Sequence, residues 1–233
     1  MTHDDQRLEH PRAGNSKVVA IAEMALVELI FLADWYRWHH LIRINKTPYL
    51  LVLAWISLRL RGLRWKSVGW GIYRTWAQTF VLGIVLGLGM ELLELFVTQP
   101  VLVRLLHKWP DLTAFRPLIG NVKLFIVSML FTWVFAALGE ELVYRGYLMN
   151  RIADLFGGTR ASWRVSLVVT SIVFGVAHFG QGWTGEIENA VAGLLLGGAY
   201  LLCGRKLAVP ILAHGIQDTI DFLLIFLGKY PAM

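Results

Sequence analysis

Glu140, Glu141 and Arg145 stand at the end of an apolar run that begins at Leu124. His178 closes a second apolar run, and His214, Asp218 and Asp221 lie within a third. A charged residue at the centre of a membrane helix is disfavoured by about 2.5–3.5 kcal/mol on insertion scales, so such groups are paired, face a polar interior, or do chemistry. Glu141 and Arg145 are four apart and can pair on one helix face. Glu140 is turned about 100° from Glu141 and is left to point elsewhere. His214 and Asp218 are also four apart, and Asp221 extends them into a polar stripe. The spacing therefore predicts a polar cavity built from three separate helices.

That set of groups suits hydrolysis. A buried carboxylate such as Glu140 can take a proton from water as a general base. His178 can share that water or protonate a leaving amine, while His214 and its neighbour can stabilise an oxyanion. The same Glu140, His178 and His214 could instead hold a divalent ion such as zinc with one position open for water. No His-Glu-x-x-His motif is present, so no metal is firmly indicated and the cofactor requirement stays unknown. There is no Gly-x-Ser-x-Gly elbow, and Cys203 has no nearby histidine in the sequence. A serine or cysteine nucleophile is not suggested.

The elements that must position these groups are apolar helices. Of 233 residues, 56% are hydrophobic and only 16% charged, against about 25% charged in soluble domains. The expected fold is an all-α, polytopic transmembrane bundle of about seven spans (six to eight). The spans fall near 18–36, 47–60, 76–97, 121–144, 165–179, 189–202 and 207–227, and they enclose an intramembrane polar cavity. Residues 1–17 read as a disordered polar tail, and 18–233 as a single membrane domain. Gly83 and Gly87, and again Gly193 and Gly197, are four apart and permit close helix packing. Residues 98–118 and 180–188 read as loops, which makes Glu186, Glu188 and Asn189 solvated. Lys and Arg are more numerous on the segments sharing a side with the N-terminus, which predicts a cytoplasmic N-terminus. The net charge of +6 follows from those loops and does not call for nucleic acid. Trp35, Trp38, Trp65, Trp70 and Trp76 sit at span edges, as interfacial anchors do.

Three motifs in order, Glu-Glu-x-x-x-Arg at 140–145, Phe-x-x-x-His at 174–178 and His-x-x-x-Asp at 214–218, resemble those of the CPBP family. These are the CAAX proteases and bacteriocin-processing (Abi) enzymes, metalloprotease-like intramembrane endopeptidases that use a glutamate. The resemblance covers about 119–228. It implies an all-helical endopeptidase of the bacterial inner membrane that cuts a membrane-embedded or lipidated protein. By the same resemblance Glu140 and His178 activate water, His214 and Asp218 form the oxyanion side, and Glu141 and Arg145 support the site. Asp218 stands where the prenyl-protease branch has Asn, and a carboxylate donates a hydrogen bond only when protonated. Asp218 is therefore also read as the group that orients His214. Two other classes compete: a non-catalytic immunity or scaffold protein of the same fold, and a proton-coupled transporter. In simple alternation Glu140 and His178 fall toward opposite ends of their helices, offset on the order of 15 Å. Catalysis requires them to come within direct or one-water reach.

Overall fold

The computed structural model describes residues 17–39 and 46–232. Apart from Lys17, the predicted tail lies outside these. The described residues are helical, with no strand among them. Helix α1 spans Lys17–His39 and α2 Thr47–Leu60. The long helices α3, Trp76–Leu106, and α4, Val122–Leu155, follow. Helix α5 spans Arg160–Val176, α6 Gly182–Leu202 and α7 Ala208–Phe226.

Local chemistry sets where several of these begin. Pro48 occupies the first turn of α2, where a missing N–H is not needed. The Thr75 hydroxyl accepts from the Gln78 N–H at 3.2 Å, and Asn121 Oδ1 accepts from the Leu124 N–H at 3.1 Å. Both cap a donor that the first helical turn leaves free. Thr159 and Ser162 cap the start of α5 reciprocally.

Packing joins α3 to α7 and α5 to α6 most extensively. The paired glycines lie on these contacts. A Cβ at Gly87 would meet the Ala213 carbonyl and Ile216, and one at Gly83 would meet Leu212. Gly193 lies against Ser171, and Gly197 against Leu167. Small residues let backbones approach where lipid gives no hydrophobic drive for helices to associate. A buried cluster of Val27, Leu50, Ala54, Val143, Tyr144, Tyr147, Leu148, Phe174 and Ala177 joins α1, α2, α4 and α5. Outward-facing apolar residues, among them Val81, Val85, Leu130 and Phe131, stay exposed, as a surface facing lipid chains requires.

Three described helices are long and apolar enough to cross a membrane: α3, α4 and α7. Helices α5 and α6 meet the same test as a pair bent by 52°, and α2 is a shorter apolar helix. Each of the seven expected spans coincides with one described helix, although only three pass the crossing test singly. The predicted loop over 98–118 is helical as far as Leu106. Pro100 falls in the first turn of a fresh α-helical stretch just after a widened turn at Glu94–Thr98, so it does not end the helix. The predicted loop over 180–188 is also mostly helix, since α6 starts at Gly182. Its Gly and polar content suggested a loop, but tertiary contacts override so weak a propensity. Thr184 donates to the Lys108 carbonyl at 2.7 Å, and Asn189 Nδ2 donates to Gln181 Oε1 at 3.0 Å.

Candidate active site

Helix α4 changes its backbone pattern where its charged residues lie. Over Thr132–Glu140 and Leu142–Met149 the hydrogen bonds run to the fifth residue, the wider π pattern. Such widening is rare and collects at functional sites. In this setting the two adjacent glutamates have different fates. Glu141 is fully buried within the protein, while Glu140 lines a cavity of about 390 Å³.

Glu141 Oε1 accepts from Arg145 Nη1 at 2.7 Å and from His214 Nδ1 at 3.0 Å. Arg145 Nη2 donates to the Gly193 carbonyl at 3.1 Å. The guanidinium also lies 4.6 Å from the Phe174 ring centroid, a cation–π distance. One ion pair therefore connects α4 to α5, α6 and α7. Pairing offsets the cost of burying these charges, while Glu141 Oε2 has no protein partner.

His178 lies at the break between α5 and α6. Its Nδ1 is 2.7 Å from the Phe174 carbonyl. A carbonyl only accepts, so Nδ1 carries the hydrogen and Nε2 of the neutral ring is an acceptor. The Phe174 ring packs against both histidines, with centroids 4.9 Å from His178 and 5.9 Å from His214. His214 Nε2 is 3.6 Å from Asp218 Oδ2, a charge contact longer than a hydrogen bond. Glu140 Oε1 is 3.5 Å from the Thr47 hydroxyl, and its Oε2 is buried without a protein partner.

Glu140, His178, His214 and Asp218 all line the one cavity. The bend at 177–181 carries His178 to the cavity wall that Glu140 shares. Asp221 lines it too. The conditional zinc set of Glu140, His178 and His214 is not assembled: among the described residues no three His, Cys, Asp or Glu side chains converge as metal ligands. The arrangement does not fit a metal held by that trio.

Sequence reasoning missed two parts of this region. Lys46 Nζ is 3.1 Å from Asp34 Oδ2 and donates to the Ala177 carbonyl at 2.9 Å, so it ties α1 to the His178 turn. At the cavity wall, Glu94 Oε1 accepts from the Tyr230 hydroxyl at 2.9 Å, and Glu94 Oε2 accepts from Gln217 Nε2 at 2.7 Å. Burial, with Asp221 and Glu94 nearby, pushes the Tyr230 phenol up, so it remains a hydroxyl donor. Glu188, expected in solvent, is buried on the same wall, because helix α6 turns it inward. An acidic residue inside an apolar run, as Glu94 is, was the one available signal; nothing in the sequence points to Tyr230.

Residues 122–220 match the family described as type II CAAX prenyl endopeptidase Rce1-like. Over this segment the chain is Rce1-like. The matched segment contains all three motifs and most of the cavity wall. The matched family is one of proteases. The chain's long apolar helices make it an integral membrane protein. No curated protein and no solved structure matches the chain.

Proposed function

We propose that the protein is an intramembrane endopeptidase that hydrolyses a peptide bond in a membrane-associated, lipid-linked protein, with a prenylated protein as the substrate the family suggests. The observation that carries this reading is that Glu140, His178, His214 and Asp218, from three separate segments, line one cavity. Glu140 Oε2, which has no protein partner, takes a proton from water. His178 Nε2 accepts the water's other hydrogen and fixes its direction. The water oxygen bonds to the scissile carbonyl carbon, and negative charge moves to the carbonyl oxygen. His214 has its Nδ1 hydrogen held by Glu141; a proton on Nε2, shared with Asp218, faces the developing oxyanion. The carbon–nitrogen bond then breaks, and Glu140 returns its proton to the leaving amine.

On this reading residues 18–233 act as one membrane domain, with the catalytic core at about 119–228 and the N-terminus in the cytoplasm of a bacterial cell. Glu140→Gln tests the assignment, since a general base contributes roughly 10²–10⁴-fold. Cleavage of a prenylated reporter in proteoliposomes should fall by at least about 10²-fold with normal membrane accumulation. Cleavage at the wild-type rate would remove Glu140 from the mechanism.

A further inference from the structure

The cavity wall has a charge and hydrogen-bond imbalance that hydrolysis alone does not use. Five carboxyl groups line it: Glu94, Glu140, Glu188, Asp218 and Asp221. No Lys or Arg lines it, and His178 and His214 are its basic side chains. Three of the carboxyls each present a buried oxygen with no protein partner: Glu140 Oε2, Glu188 Oε1 and Asp221 Oδ1. Glu188 is only 5% exposed.

Several donors on the same wall are already committed. Gln217 Nε2 and the Tyr230 hydroxyl both serve Glu94. Asn189 Nδ2 serves Gln181 Oε1 and the Gly185 carbonyl. Glu94 accepts at both of its oxygens. Like charges held together in a protein interior repel and are costly to leave uncompensated. The occupant that completes such a wall brings hydrogen-bond donors and positive charge. An ammonium offers three donors and a guanidinium five, with no acceptor.

We propose that the cavity selects substrate segments with a lysine or arginine close to the scissile bond, and that Glu188, Asp221 and Glu94 are the residues that determine this specificity. The inference rests on the reading of the cavity as a peptidase site and adds the charge class of its substrate. It makes the acidic wall a recognition surface beside the reacting groups.

The test uses the full chain in lipid nanodiscs, in a Glu140→Gln background so that binding is read without turnover. The probes are farnesyl-anchored peptides in which each of the four residues after the anchored cysteine is, in turn, Lys, Gln or Glu. At one position at least, the Lys peptide is expected to bind about tenfold more tightly than the Gln peptide, equivalent to about 1.4 kcal/mol. The Glu peptide is expected to be weakest. Adding Glu188→Gln, or separately Asp221→Asn, should reduce the Lys preference to about threefold or less. Equal binding of Lys and Gln peptides at every position would overturn the proposal, as would an undiminished preference in both variants. Should either variant fail to fold, the charge series on the Glu140→Gln protein decides alone. Cleavage by the wild-type chain is measured in parallel. Charge preference without cleavage defeats the peptidase reading and leaves the selection standing; cleavage without charge preference does the reverse.

Discussion

Arg145→Met should be among the most damaging single substitutions in this chain, and the reason can be worked from its contacts. Arg145 is 2% exposed and Glu141 fully buried, with 2.7 Å between Nη1 and Oε1. Methionine fills much of the same volume but removes the positive charge. Glu141 then keeps only His214 as a donor, and its Oε2 is already without a partner. The Gly193 carbonyl also loses the contact that links α4 to α6. Removing one partner of a buried pair costs about 3–5 kcal/mol, and that is the expected loss. Equilibrium unfolding in mixed micelles measures it. Glu141→Gln combined with Arg145→Met should recover at least about 1 kcal/mol of the loss, because contacting pairs couple by about 0.5–3 kcal/mol. Arg145→Lys keeps the charge but cannot reach both Glu141 and Gly193 with a planar fork, so about 1.5–3 kcal/mol should go. A change below about 1 kcal/mol in Arg145→Met, or a double variant as unstable as the sum of the singles, would refute the argument.

Two further substitutions probe the positions around the site. Lys46→Met removes both the Asp34 pair and the bond to the Ala177 carbonyl, and so loosens the His178 turn. Turnover of a prenylated reporter should drop on the order of tenfold, an expected shift of about 1.4 kcal/mol in the barrier. KM should change little, and Lys46→Arg should restore part of the rate. Gly175→Ala places a methyl group against the Glu186 carbonyl and Ala190, forcing α5 and α6 apart for about 1–3 kcal/mol. Gly198→Ala, with open space at its Cβ, should be neutral or slightly stabilising in the same unfolding measurement.

Much of the helix content and the pairing of Glu141 with Arg145 could be read from spacing alone. Charges cannot stand free in an apolar run, and four-residue intervals bring side chains together. The glycine pairs announced close packing, though not which helices would meet. What spacing could not carry was the change of backbone pattern in α4, since propensities do not distinguish α from π turns. Nor could it carry the helix through Pro100, where a widened turn precedes the proline. Glu188 shows the same limit from the other side: polar composition suggested a loop, and burial depends on neighbours far along the chain. Tyr230 reaches Glu94 across 136 positions, and no local pattern encodes that contact.

One oxygen of Glu141 has a consequence for the order of events during synthesis. It holds a donor from its own helix and another from His214 on α7, the last described helix in chain order. Helix α7 supplies His214, Gln217, Asp218 and Asp221 to the cavity wall, so the cavity is incomplete until that helix has packed. The nascent chain thus carries Glu140, the proposed general base, long before the cavity it lines is complete. On the proposed mechanism a partly inserted copy lacks His214 and Asp218 and cannot cut its neighbours.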